Sequence, residues 1–92
     1  MVSAVVLIKA QTDSVNELAS AIANLEGVRE VFSVAGHYDL VALVNRRENE
    51  ELADLVSGKI RKLPGILATE TLIAFRVYSR AELEVAGSFG LD

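Results

Sequence analysis

The chain has 92 residues, 51% of them hydrophobic and 24% charged, and its formal net charge is −4. This length fits one domain with a modest core and is short for a catalytic cleft between two domains. No apolar stretch approaches the ~20 residues of a membrane span, and no basic segment precedes one. The absence of cysteine excludes a disulfide scaffold and thiolate metal sites, and fits a cytoplasmic protein. The acidic balance without a basic cluster disfavours direct nucleic-acid binding.

The first quarter of the chain predicts a strand followed by a helix. Residues 3–10 form a short, β-branched apolar run that is typical of a strand. Ser14 and Glu17 match a capping box, in which the hydroxyl and the carboxylate cover free N–H groups of the first helical turn. Gly27 ends the helix, as a glycine just past the last periodic residue usually does. The apolar face recurs at helical spacing: Val15, Leu18, Ile22 and Leu25.

Two strands and a turn occupy the middle of the chain. The pattern predicts strands at residues 28–34 and 38–45, joined by a hairpin turn at Gly36 that presents His37, Tyr38 and Asp39. Strict alternation in the first of these strands places four residues on one face and three on the other: Val28, Glu30, Phe32 and Val34, against Arg29, Val31 and Ser33.

A second helix and a last strand follow. The helix is predicted at about residues 50–62, and Pro64 and Gly65 end it. Its apolar side consists of Leu52, Leu55, Val56, Ile60 and Leu63. A long fourth strand is predicted at residues 66–78, and a tail at 79–92 whose first residues can cap a short helix or make an oligomer contact.

The order β-α-β-β-α-β contains an internal repeat, since the segments around Leu18 and Gly27 recur around Leu52 and Gly65. Two such halves predict an α+β, ferredoxin-like domain over residues 1–78, with a four-stranded antiparallel sheet and both helices on one face. The first, third and fourth predicted strands are apolar over long runs without alternation, so both faces of the sheet need to be covered. We expect a homodimer joined through the face without helices; the alternative is that the tail folds over this face through Val85, Phe89 and Leu91.

Three motifs in this order resemble the effector domain of the Lrp/AsnC (feast/famine) transcription regulators, often called RAM for regulation of amino-acid metabolism. They are the Gly-x-Tyr-Asp turn of residues 36–39, the Leu-Pro-Gly-Ile of residues 63–66, and the Thr-Glu-Thr of residues 69–71. The resemblance covers about residues 2–78. It implies a dimer formed sheet to sheet, with dimers assembling into rings, commonly of four dimers.

The resemblance also implies a site for a small effector, usually an amino acid, at contacts between dimers. Carried over residue by residue, the effector-binding positions are Gly36, Tyr38 and Asp39, with Thr69 and Thr71 placed less securely. The family assigns no role to His37, and it implies no cofactor, no metal and no catalytic residue. We expect the chain to lack the helix-turn-helix domain of full-length regulators, because the first strand begins close to Met1. We therefore expect a role in transcription through partners, such as full-length relatives, and no direct contact with nucleic acid or membrane.

The chemistry of the turn agrees with an amino-acid ligand. Backbone N–H groups near Gly36 can approach a carboxylate, Asp39 can face an ammonium group, and the ring of Tyr38 can pack on a side chain. The alternatives are a turn bond from Asp39 to its own backbone and simple interface packing of Tyr38. Two other functions stay open: a small dimeric enzyme of the monooxygenase or isomerase type, and a purely structural assembly protein. With one histidine and no cysteine, the chain offers few side chains suited to catalysis.

Overall fold

Four antiparallel strands and two helices make up residues 1–80, the part of the chain that the computed structural model describes. Across the sheet the strands lie in the order second, third, first and fourth along the chain, which confirms the predicted ferredoxin-like fold. Beyond residue 80, the predicted tail lies outside the described residues. The elements are β1 (Val2–Ala10), a 3-10 turn (Thr12–Ser14), α1 (Val15–Ala23), β2 (Val28–Ser33), β3 (Leu40–Arg46), α2 (Asn49–Leu55), a π-helical turn (Val56–Ile60) and β4 (Ile66–Ile73).

One hydrophobic core lies between the sheet and the two helices. Alternate residues of the central strands β1 and β3 point into it, as the period of two in a strand requires. Full burial of a large aliphatic side chain contributes about 1.5–3 kcal/mol, so these residues hold the helices on the sheet. The apolar helix faces predicted from the sequence are confirmed. The larger buried side chains are Val6, Ile8, Leu40 and Val44 from the strands, and Leu18, Ile22, Leu52, Leu55, Val56 and Ile60 from the helical segments.

The second helical segment changes its winding part-way along. The sequence predicts a single helix at about residues 50–62, but α2 ends at Leu55 and a π-helical turn continues to Ile60. A hydrogen bond from the Arg61 N–H to the Val56 carbonyl, 2.9 Å long, closes the wider turn. Gly65 then ends the segment with φ +97°, and a Cβ there would lie 3.0 Å from the Cβ of Ser14. This close approach explains why glycine follows Pro64.

The predicted capping box at Ser14 is wrong. The Ser14 side chain does not bond to the first turn of α1; its hydroxyl lies 3.4 Å from Asp13 Oδ1. A capping serine needs an extended backbone, whereas Ser14 has φ −114° and ψ 1° at the end of the 3-10 turn. The turn that precedes α1 therefore replaces the extended entry that the motif assumes.

The alternation predicted for β2 is also wrong at one point. The pairing with β3 shifts between Val28 and Glu30, because a β-bulge adds one residue to this strand. Val28 and Val31 consequently share the helix side, where both pack against the core, while Phe32 points to the opposite side. Relative to Val28, the residues that follow the bulge therefore lie on the faces opposite to those predicted.

The face of the sheet opposite the helices, here called the open face, is apolar over its centre. Both helices pack on the other side, so the residues of this face keep part of their exposure. Direct pairing across neighbouring strands places six apolar side chains together there: Val5, Leu7, Phe32, Val41, Leu43 and Leu72.

The fourth strand is shorter than predicted. It ends at Ile73, and the chain continues as an irregular segment, residues 74–78, here called the arm. The Ala74 N–H donates to the Ser3 carbonyl at 2.9 Å, and beyond this point β1 offers almost no partner because it begins at Val2. The aromatic ring of Phe75 on the arm is fully exposed.

Among the described residues, neither helix has the length and apolar character that a membrane-crossing helix requires.

Candidate functional site

The turn between β2 and β3 is tied to the neighbouring strand β1 by Asp39. The Asp39 N–H donates to the Ile8 carbonyl at 2.8 Å, and the Ala10 N–H donates to Asp39 Oδ2, also at 2.8 Å. The Val34 N–H donates to the Asp39 carbonyl at 3.0 Å and closes the turn. Asp39 thus bonds to β1 and not to its own backbone, so the predicted alternative of a local turn bond is wrong.

The Ala10 bond satisfies a donor that the sheet itself leaves free. The pairing of β1 with β4 shifts between Lys9 and Ala10, which takes the end of β1 out of the regular ladder. An unpaired backbone donor in a half-buried position is costly, and a carboxylate acceptor is the stronger kind of partner. Asp39 therefore fixes the position of the whole turn on the sheet.

Gly36 forms the outer, unobstructed part of this turn. Its φ is +135°, a conformation that L side chains rarely adopt, and a Cβ built there meets nothing within 4 Å. The glycine is required by the backbone and not by crowding. Its backbone is therefore open to a ligand approaching from outside.

Tyr38 and His37 complete the turn. Tyr38 is half-buried, and its hydroxyl lies 3.5 Å from Glu70 Oε2 on β4, which is the long limit of a hydrogen bond. His37 is exposed, and the Asp39 carboxylate is bonded to Ala10. The turn therefore does not hold His37 and Asp39 as an acid–base pair of the kind an enzyme would need.

The structure brings one of the two predicted threonines near the turn. Thr69 on β4 is directly opposite Ile8, whose carbonyl binds the Asp39 N–H, so Thr69 and Asp39 flank the same residue of β1. Thr71 lies two residues further along, opposite Val6, on the helix side of the sheet. There it lines a separate cleft of about 180 Å³ between α2 and β4.

Two groups at this site escape the sequence reasoning. Strand alternation places Glu70 on the face opposite Thr69 and Thr71, which the register confirms, but its contact with Tyr38 depends on the strand order. The N–H of Ala10 carries no side-chain signal at all. In residues 1–80 no group of three or more His, Cys, Asp or Glu side chains is placed to hold a metal ion.

Comparison with known proteins identifies the family. Residues 3–83 match the family model of the Lrp/AsnC ligand binding domain. The chain belongs to the Lrp/AsnC family. The match spans the ferredoxin-like unit and includes the turn and the strand β4, so the motifs that suggested this resemblance lie inside the Lrp/AsnC domain.

Individual relatives support the same family assignment. An uncharacterized HTH-type transcriptional regulator from Pyrococcus horikoshii, PH1916, is 37% identical over 76 residues, covering 79% of this chain and 51% of its own length. The crystal structure of TTHA0845 from Thermus thermophilus superposes with a TM-score of 0.82 at 51% identity, covering 87% of this chain and all of that one. The Lrp/AsnC chain described here spans about half the length of the curated regulators it matches.

A third relative carries a ligand. A feast or famine regulatory protein from M. tuberculosis, Rv3291c, was solved in complex with L-methionine. It is 28% identical to this chain with a TM-score of 0.72, and the match covers 87% of this chain and 54% of Rv3291c. These comparisons establish an Lrp/AsnC ligand-binding domain of the kind found in transcription regulators.

Proposed function

We propose that this Lrp/AsnC domain binds an amino acid at the turn between β2 and β3. In this proposal the backbone N–H groups around Gly36 receive the carboxylate, and the Asp39 oxygen that is not bonded to Ala10 faces the ammonium group. The ring of Tyr38 packs on the ligand side chain, and the Thr69 hydroxyl completes the polar surroundings. Thr71, in the cleft beneath α2, stays a prediction of the family resemblance.

The observation that carries the proposal is the anchoring of the turn by Asp39. A binding loop gains affinity when its conformation is fixed before the ligand arrives, because less conformational entropy is lost on binding. Here two hydrogen bonds of 2.8 Å fix one end of the turn, while the backbone of Gly36 stays unobstructed. The L-methionine complex of Rv3291c supports an amino acid as the class of ligand.

We further propose that two copies pair through the open face and that dimers assemble into rings. Support comes from the six apolar side chains on that face, of which Phe32 and Leu72 are 44% and 49% exposed in the single chain. Exposed apolar patches of several hundred Å² are uncommon in monomers, and packing of two sheets removes such a patch from water. The ring would place the turns of neighbouring dimers close together.

The proposed output is regulation of transcription of amino-acid metabolism through other proteins. Residues 1–80 fold into the ferredoxin-like unit, and the net charge of −4 does not favour direct contact with DNA. Contact with the promoter would then come from a DNA-binding unit outside these residues, for example in a mixed assembly with longer relatives. A cytoplasmic location and a division into residues 1–78 and a tail at 79–92 belong to the same proposal.

Melting the purified protein with each of the twenty amino acids tests the ligand proposal. A ligand that binds only the folded state stabilises it by about 2.7 kcal/mol at 100 times its dissociation constant. We expect a shift with one amino acid or a few related ones, absent with the D-enantiomer and lost in Tyr38→Ala. Equal melting temperatures with all twenty would contradict amino-acid binding and favour a purely structural assembly.

A further inference from the structure

The outer side of the second helical segment carries a line of exposed residues, here called the crest. Its members follow one another at a spacing of four, which keeps helical residues on one face. They are Glu50, Asp54, Gly58 and Lys62. Leu52, Val56 and Ile60 lie two residues further on in each case, about 200° round the helix, and are buried in the core. The crest therefore points away from the sheet, on the side opposite the open face.

Nothing in the described residues explains why position 58 is a glycine. Glycine destabilises a helix relative to alanine, because it loses more backbone freedom on folding. Three other glycines have a positive φ, but Gly58 does not, and a Cβ built on it meets nothing within 4 Å. A glycine also permits the close approach of a second backbone, which none of the described residues supplies. We therefore looked for a partner that fits around Gly58.

The charges on the two sides of Gly58 have opposite signs at equal spacing. Asp54 lies four residues before it and Lys62 four residues after it. Both are exposed, and neither forms a salt bridge with another described residue. Acidic residues early in a helix and basic residues late in it also suit the helix dipole, but the dipole does not call for a glycine between them.

This arrangement makes the crest complementary to itself. A two-fold axis through Gly58 relates two antiparallel copies of the segment. It would place Asp54 of each copy opposite Lys62 of the other, with the two glycines at the crossing point. A contact of this isologous kind requires a surface that matches its own copy, which the crest provides. The occupant that fits the crest is a second copy of this chain.

We propose that the crests of two copies pack antiparallel, and that this contact joins dimers already formed through the open face. The inference rests on the pairing proposed above and names the surface that builds the ring. The crest and the open face lie on opposite sides of a subunit, so one subunit can use both at once. Two different two-fold contacts on each subunit generate a closed ring when the angle between their axes allows it.

The crest contact is small. Residues 49–62 extend over ~20 Å at 1.5 Å per helical residue, and exposed ion pairs each contribute little. We therefore expect the contact to be too weak to hold single chains together at micromolar concentration. Between dimers it acts more strongly, because each dimer offers two crests and the contact that closes the ring is intramolecular.

Light scattering of the intact protein tests the packing at Gly58. Gly58→Leu places a bulky side chain at the crossing point, where the single chain has room for it. We expect this variant to keep the wild-type melting temperature or exceed it, and to fall from a larger assembly to a mass of two chains. Ser20→Leu adds the same side chain to the exposed side of α1 and should leave the mass unchanged.

A charge exchange tests the pairing of Asp54 with Lys62. Lys62→Glu or Asp54→Lys alone brings like charges together and should weaken the contact about tenfold, with a smaller effect at high salt. The double variant restores opposite charges across the two-fold axis and should regain the wild-type mass. This recovery separates a contact between copies from an effect inside one helix, where the two substitutions would add.

Three results would overturn the crest contact while leaving the open-face pairing intact. The first is a wild-type mass of two chains. The second is a wild-type mass for Gly58→Leu, which would exclude close packing there. The third is a loss of mass in both single charge variants without recovery in the double variant. A wild-type mass of 9.9 kDa would overturn both contacts together, and the melting shift with amino acids reports on the turn separately.

Discussion

The two faces of the sheet are made from alternate residues of the same strands, yet they meet different surroundings. Val6 and Ile8 of β1 are fully buried beneath the helices, whereas their neighbours Val5 and Leu7 keep part of their exposure on the open face. A strand that is apolar at every position needs both of its faces to be covered by other apolar surfaces. The chain's own helices provide one of them, and the second is expected from another copy.

This difference changes what a substitution should do. A residue of the helix side stabilises the single chain, so its loss lowers the stability of each subunit. Under the proposed pairing, a residue of the open face contributes through association, which depends on protein concentration. The predictions that follow compare the two faces and then the turn, from the largest expected effect to the smallest.

Replacement of Ile8 by alanine should cost about 2–5 kcal/mol of unfolding free energy, since it leaves a cavity in the core. Leu7→Ala, one residue along the same strand, is the matched variant for the open face. Urea denaturation at two protein concentrations compares them. We expect Ile8→Ala to be destabilised at both concentrations and Leu7→Ala chiefly at the lower one. Equal losses of stability in both variants at both concentrations would contradict the expected difference between the two faces.

Replacement of Leu43 by aspartate should separate the subunits while leaving each one folded. The substitution places a charge in the centre of the proposed dimer, and an unpaired charge in an interface costs about 3 kcal/mol or more, a hundredfold or more in dissociation constant. Light scattering should show a mass near 9.9 kDa for the variant and at least twice that for the wild type.

Asn16→Asp, which adds the same charge on the exposed side of α1, is the control and should leave the mass unchanged. A wild-type protein that is a 9.9 kDa monomer at micromolar concentration would contradict pairing through the open face.

Replacement of Asp39 by alanine should destabilise the fold by about 1–3 kcal/mol, because it leaves the Ala10 N–H without its acceptor. Asp39→Asn keeps a side-chain oxygen and should recover most of this loss, but it should still weaken amino-acid binding if the charge faces the ammonium group. Thermal denaturation measures the first effect and calorimetric titration the second. His37→Ala changes an exposed neighbour in the same turn and should leave the melting temperature unchanged. If all three variants had the stability of the wild type, Asp39 would not be the residue that anchors the turn.

Replacement of Tyr38 by phenylalanine should change stability by less than about 0.5 kcal/mol, since the contact with Glu70 is long and exposed. The aromatic ring is retained, so amino-acid binding should persist, whereas Tyr38→Ala should abolish it. Calorimetric titration of both variants separates a role of the ring from a role of the hydroxyl. Loss of binding in Tyr38→Phe would show that the hydroxyl, and not the ring, recognises the ligand.

The fold follows from the sequence because its signals are periodic. The apolar spacing around Leu18 and Leu52 predicts the helix faces, and the turn residues Gly36 and Gly65 mark the ends of elements. The bulge beside Arg29 escapes prediction, because an extra strand residue alters backbone pairing without a distinctive side chain. The absent cap at Ser14 has a similar cause, since the 3-10 turn before it sets the backbone angles.

The candidate site is predictable only as a set of residues. The family motif supplies Gly36, Tyr38 and Asp39, but the partner of Asp39 is a backbone N–H 29 residues earlier in the chain. Such a bond depends on the register of three strands, which no local pattern contains. The same register separates Thr69 from Thr71, because only Thr69 is opposite the residue that binds the turn.

The most direct test of the central claim is the structure of the complex with the amino acid that gives the largest melting shift. The account predicts that its carboxylate lies against the backbone of Gly36 and its ammonium group faces Asp39, with Tyr38 beside its side chain. A ligand seated in the cleft beneath α2, with the turn empty, would contradict the assignment of the turn as the effector site.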